Sequence, residues 1–236
     1  MNRAAHPTAV YPARPPPWPP TATLGESTVR QLLEMVFILG LSPLALASVD
    51  GEKKDAPPTP VPVKTGKAML TPENTTIEFT GLHAGAEPNP RIGYFNKFKG
   101  ELAFDEAKSP QSATIEIETA SLVTPIQKLT NHLKSPDFFD VRQYPKATFI
   151  ATKFEPTTAA NAPKHNVAGE LTLRGEKKSL TFPAVVRVTD EGVVLKTKFK
   201  LKRSDFGMNF GPDRVVDDVA VVVVVGKRTP AVEVEQ

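Results

Sequence analysis

The sequence predicts an all-β domain, an antiparallel barrel of about eight strands with a short helical lid inserted into it. Two patterns carry that prediction. From Thr75 to Val225, apolar and polar residues alternate with a period of two in run after run, each bounded by turn-forming residues. One stretch, Leu129 to Phe149 (LTNHLKSPDFFDVRQYPKATF), replaces that alternation with helical spacing and a phenylalanine pair. Closing the sheet on itself removes exposed edges, and a barrel of this size is either filled by side chains or holds one small ligand. A sandwich core is the structural alternative.

Residues 1–28 centre on PARPPPWPP and show almost no apolar periodicity. Such composition is extended or disordered, and a misassigned start explains it more simply than a polyproline ligand for an aromatic groove does. After Arg30 the chain runs QLLEMVFILGLSPLALAS. An apolar core of about ten residues followed by Ala45-Leu46-Ala47 reads as a signal peptide over 29–47, with an uncleaved anchor as the competing reading. Cleavage is expected near Ala47, with the mature chain beginning around Ser48. Residues 48–68, charged and proline-rich, are expected to be a linker.

The first strand carries Ile77 and Phe79 on one face. A long second strand is expected to place Tyr94, Phe98, Leu102 and Phe104 inward, with Lys97, Lys99 and Glu101 outward and Gly100 as a kink. Ile115 and Ile117 mark the third. The lid follows. Thr124-Pro125 supplies an expected N-cap and first helical residue, and Ser135-Pro136 repeats the signal. Ile126, Leu129 and Leu133 share a helical face, and Phe138 and Phe139 precede the turn at Tyr144-Pro145.

Beyond the lid, Ala147–Thr157 is ambiguous because Phe149 and Phe154 have opposite parity. Val167, Leu171 and Leu173 point inward from the next strand. Leu180, Phe182, Ala184, Val186 and Val188 do so from the one after. In Gly192–Lys202, Val193, Leu195, Thr197, Phe199 and Leu201 alternate with Lys196, Lys198, Lys200 and Lys202. The lysines read as a solvated face, with attraction to anionic head groups as a weaker functional reading. Val219–Val225 is apolar on both faces and needs a covering element outside. Turns are expected at Ser109-Pro110, Arg174-Gly175, Asp190-Glu191-Gly192 and Gly211-Pro212. The resulting barrel domain spans 69–228, with a tail over 229–236.

There is no cysteine, which excludes disulfides, thiolate metal sites and cysteine nucleophiles. The formal charge of +3 is too even to point to nucleic acid. His6, His83, His132 and His165 are scattered without metal-ligand spacing, and no phosphate-loop or nucleophile-elbow motif occurs. His132, Asp137 and Asp140 lie close together on the lid, but their positions suit a helix surface and a helix first turn better than an acid–base group. Arg203-Ser204-Asp205-Phe206-Gly207 reads as a tight turn with local Arg–Asp pairing rather than a binding motif.

Six phrases nevertheless occur in an order that identifies a family. They are Gly93-x-Phe95 with Phe98-x-Gly100, Ser121-x-x-Thr124, and Leu133-x-Ser135-x-Asp137-Phe138-Phe139-Asp140. They continue with Tyr144-Pro145-x-Ala147-Thr148-Phe149, Gly169-x-Leu171-Thr172-Leu173-x-Gly175 and Arg203-x-Asp205-Phe206-Gly207. From about residue 70 to 226 the chain resembles the YceI-like, polyisoprenoid-binding family of bacterial periplasmic proteins. Gly81–Ile92 (GLHAGAEPNPRI) departs from the family pattern at one barrel rim.

The resemblance implies an extended, lipocalin-like antiparallel barrel of eight strands whose lumen holds a long isoprenoid, such as a quinone or polyprenol. It also implies secretion to the periplasm. Combined with the apolar parities, it makes Phe79, Tyr94, Phe98, Leu102, Ile115, Ile117, Leu129, Leu133, Phe138, Phe139, Leu171, Leu173, Phe182, Val186, Leu195 and Phe199 the lumen and lid candidates. The expected function is a non-enzymatic carrier, with bound lipid as ligand and no cofactor, metal or nucleic acid. A transient membrane-surface contact and a homodimer are admitted as partners. Two alternatives stay open: a barrel enzyme acting on such a lipid, with His132, Asp137 and Arg203 as first suspects, and a ligand-free stress or scaffold barrel.

Overall fold

The computed structural model describes residues 57–85, 89–158 and 164–235. The expectations for 1–28, 29–47 and 48–56 lie outside the described residues. Within them, eleven strands form one antiparallel sheet. In chain order these are β1 (Lys67–Leu70), β2 (Thr75–His83), β3 (Asn89–Phe95), β4 (Phe98–Phe104), β5 (Pro110–Glu118) and β6 (Leu122–Val123). A helix, α1 (Gln127–Lys134), precedes β7 (Lys146–Thr157), β8 (Lys164–Leu173), β9 (Glu176–Val188), β10 (Val193–Lys202) and β11 (Asp218–Val225).

The count exceeds the expected eight because three long strands are each interrupted once. The 89–104 stretch pairs on one side with β1 and β2, and on the other with β5 and β6. Counted as continuous stretches, the chain winds through eight staves, each beside its predecessor, and β11 returns to pair with β2. The sheet therefore curls around a lumen, with the β3–β4 break as its seam.

That seam corrects one expectation. The second strand does not run unbroken: at Asn96-Lys97 the backbone turns aside, Asn96 N donating to Ser121 O at 3.2 Å and Glu118 N to Lys97 O at 3.0 Å. Parity shifts across the break, so Gly93 and Phe95 are buried on β3, and Phe98, Leu102 and Phe104 on β4. Tyr94 stands on the other face, opposite Glu78 and Val123.

The ambiguity in β7 has an equally local cause. Ala151 pairs with Gly169 and Lys153 with Ala168, leaving Thr152 as an extra residue. This bulge reverses parity midway, and both Phe149 and Phe154 pack against the core.

The lower end is closed by residues expected to be linker. Val61 N donates to Val193 O and Val193 N to Val61 O, both at 2.9 Å, and Thr59 N donates to Gly226 O at 2.7 Å. Val61 is buried with Ala68, Leu70, Val186, Val193 and Val225. The strap demands glycine at 192, where φ is +145° and a Cβ would lie 2.1 Å from Val61 O. The part of the 48–68 linker from Thr59 onward is thus barrel floor rather than tether. The described part of the 229–236 tail, 229–235, is likewise docked: Thr229 Oγ1 donates to Thr75 O at 2.7 Å, and Glu235 N to Pro125 O at 2.7 Å.

At the upper end, α1 begins two residues later than the capping signal implied. Ile126 is its N-cap and no side chain caps it. Thr124 is buried instead, its N–H donating to Thr130 Oγ1 at 2.9 Å and the two hydroxyls lying 3.0 Å apart, which pins the underside of α1. Ser135-Pro136 opens a turn, not a second helix: Phe139 N donates to Leu133 O and Asp140 N to Ser135 O. Arg174 secures this turn from the β8–β9 hairpin. Its guanidinium donates to Pro136 O at 2.8 Å and to Gly207 O, and lies 5.9 Å from the centre of the Tyr144 ring.

Candidate functional site

The lumen contains a cavity of about 240 Å³, many times the space one water requires. At the upper end its lining comes from the β2–β3 hairpin, α1 and the 208–215 loop, and the lining residue His83 there is exposed, marking a mouth. Its floor is the cluster around Val61 and Val193.

Of the sequence candidates, Phe79, Leu102, Ile115, Ile117, Leu171, Leu173, Phe182, Leu195 and Phe199 line the cavity from the strands. Leu129, Leu133, Phe138 and Phe139 line it from the lid. Three candidates do not. Tyr94 has the wrong parity for the reason given above. Phe98 faces inward but is buried at the seam against Ile77, Phe79, Phe95 and Leu122. Val186 lies one inward position below Ala184 on β9 and is packed into the floor.

Sequence reasoning missed several wall residues. Val219, Val221, Val223 and Val225 line the cavity from β11, a strand apolar on both faces and therefore without parity to read. Phe149 and Phe154 line it because of the Thr152 bulge. Phe95 lines it because of the seam; its own alternation with Gly93 was the available signal.

Aromatic rings organise the wall. Phe182 stacks on Phe199 with centroids 4.2 Å apart and planes 9° from parallel, and Phe149 lies 5.5 Å from Phe182. Nearer the lid, Phe139 contacts Phe79 at 6.0 Å and Phe95 at 5.8 Å. Phe138, besides lining the cavity, packs with His132 and Phe210.

Two polar residues within the wall, Thr197 and Arg203, have their donors turned to the protein. Thr197 Oγ1 donates to Pro183 O at 2.8 Å. Arg203 is 4% exposed, and its guanidinium donates to the carbonyls of Met208, Val215 and Val216. This overturns the expected pairing with Asp205. Arg203 instead clamps the 208–216 loop onto the barrel, beside Asp217. The Asp217 carboxyl is held below its usual range chiefly by the Ser204 hydroxyl, with Lys202 and Arg203 adding attraction. His132 Nε2 and Asp137 Oδ2 lie 2.9 Å apart on the lid's surface, with the imidazole edge-on to Phe138 and Phe210. That pair does not line the cavity, and Arg203 has its donors committed elsewhere, so the three enzyme suspects do not converge on one site.

A family model for the YceI-like domain matches residues 69–226. A UPF0312 protein of Pseudomonas savastanoi is 38% identical over 138 residues, covering 55% of this chain and 67% of that relative. A UPF0312 protein of Pseudomonas putida is 38% identical over 93 residues, 39% of this chain and 47% of its own length. Among solved structures, Burkholderia cenocepacia BcnA is similar with a TM-score of 0.57 and 27% identity, covering 64% of this chain and 94% of that one. A polyisoprenoid binding domain from Saccharophagus degradans has a TM-score of 0.52 at 14% identity, covering 71% and 100%, a likeness of fold alone.

Proposed function

Because the chain belongs to the YceI-like family, we propose that its barrel is a non-catalytic carrier for a polyisoprenoid amphiphile of the quinone or polyprenol type. The observation that carries this reading is the cavity wall, formed below its rim by aliphatic and aromatic side chains, with Thr197 and Arg203 hydrogen-bonded within the protein. Such a wall favours hydrocarbon over any polar solute, because each buried ligand methylene gains about 0.8 kcal/mol on leaving water. The apolar run ending at Ala45-Leu46-Ala47 supports export to the periplasm.

Organic extraction of protein purified from its native host, followed by mass spectrometry, tests the assignment. A stoichiometric long-chain isoprenoid is expected. Protein yielding no lipid, and binding none when offered it, leaves the scaffold reading instead.

The lid supplies a second expected result. Phe138 is 7% exposed and packs with Leu173, Phe206 and Met208, so Phe138→Ala should cost about 3 kcal/mol of stability. Phe139 is only half-buried and its ring forms cavity wall. Phe139→Ala should therefore cost less in the urea midpoint and more in co-purified lipid. Identical losses in both quantities for the two variants would contradict this division of the lid.

A further inference from the structure

This inference rests on the carrier reading and adds the ligand's head group. Below the mouth the wall is almost wholly aliphatic and aromatic, and its Thr197 and Arg203 donors are directed at main-chain carbonyls. Apart from Arg203, its charged or titratable lining residues are Glu78, His83 and Arg91, all from the β2–β3 hairpin. His83 and Arg91 lie within Gly81–Ile92, where the chain departs from the family's pattern.

Register brings two of the three together. Arg91 pairs with Gly81, and His83 is two residues further along β2 on the same parity. Residues so placed are diagonal cross-strand neighbours, about 7–8 Å apart, close enough for both to reach one small anion. Glu78 has the opposite parity, deeper along β2, between Tyr94 and Val222.

Neither side chain is otherwise engaged. Among the described residues, no hydrogen bond or ion pair holds the Arg91 guanidinium or the His83 ring. This contrasts with Arg174 and Arg203, whose guanidinium groups are directed at main-chain carbonyls. A half-buried guanidinium beside an apolar mouth, with its donor fork unoccupied, suits a planar or tetrahedral oxyanion.

We propose that Arg91 and His83 bind the anionic head group of a long-chain amphiphile, a phosphate or carboxylate, while its hydrocarbon tail fills the lumen. Arg91 supplies paired N–H donors and His83 one more. A neutral alcohol of the same chain length finds the same lumen but no partner at the rim.

Calorimetric titration of the delipidated full chain with dodecyl phosphate, dodecanol and inorganic phosphate tests this. Dodecyl phosphate should bind about tenfold more tightly than dodecanol, as expected for a charge-assisted hydrogen-bonded contact at a partly exposed site. Arg91→Gln should abolish that preference while leaving dodecanol affinity and melting temperature unchanged, and His83→Gln should reduce it by a smaller factor. Equal affinity for phosphate and alcohol in the wild type, or a preference untouched by Arg91→Gln, overturns the head-group assignment alone. Inorganic phosphate binding as tightly as dodecyl phosphate overturns it in favour of a free-anion site. Failure of both amphiphiles to bind overturns the carrier reading itself.

Discussion

Arg203→Leu is expected to cost about 3–5 kcal/mol, enough to abolish most of the stability of an ordinary domain. Leucine retains bulk at a position only 4% exposed, so packing loss is not the main cause. The main cause is polar. The guanidinium serves three carbonyls, those of Met208, Val215 and Val216, and among the described residues no other side chain is hydrogen-bonded to them. Each carbonyl left buried without a donor costs about 1–3 kcal/mol, partly offset because the charge itself no longer has to be desolvated. Arg203→Lys should recover only a fraction, since one ammonium cannot span three acceptors arranged around a planar fork. Urea denaturation of both variants measures this. A leucine variant with the wild-type midpoint would show that the 208–216 loop is held by its apolar contacts, Met208 above all, and not by the clamp.

The contrast between Arg203 and its sequence-based assignment shows where one-dimensional reading stops. Strand existence and facing were legible from β5, β8, β9 and β10 because each alternates over eight or more residues with one face solvated. Parity failed where the backbone inserts or displaces a residue, at the Asn96-Lys97 seam and the Thr152 bulge. The clashing parities of Phe149 and Phe154 signalled an irregularity without placing the extra residue, because a bulge is specified by what its partner strand lacks. The floor was illegible for another reason. Val61 lies in a proline-rich stretch that reads as tether, and its burial depends on a glycine some 130 positions away, Gly192, leaving room for its carbonyl. The lid's apolar residues were legible, but its capping was not. Thr124 satisfies Thr130 across a helical turn rather than the free N–H groups of α1. For the site, sequence alone gave most of the wall and none of the rim, since Arg91 and His83 differ from other surface cations only in where the hairpin carries them.

Introducing a lysine into the wall separates a lumen from a solid core, and depth should decide the outcome. Leu171 lies two residues below the upper end of β8, and Phe182 six residues below the upper end of β9, about 20 Å of strand. Both line the cavity. From Leu171→Lys the long side chain can run up the apolar wall and leave its ammonium near the mouth. That variant should fold, melt within a few degrees of wild type and carry little extractable lipid, because its stem and charge occupy the tail's path. From Phe182→Lys the ammonium has no such route. It also removes the ring stacked on Phe199, so a transferred charge and a broken aromatic pair act together. A loss of several kcal/mol is expected there, seen as a melting transition lowered by more than ten degrees or as a chain that does not fold. Unfolding of both variants would indicate a packed core around Leu171. Wild-type lipid content in both would place the ligand somewhere other than this lumen.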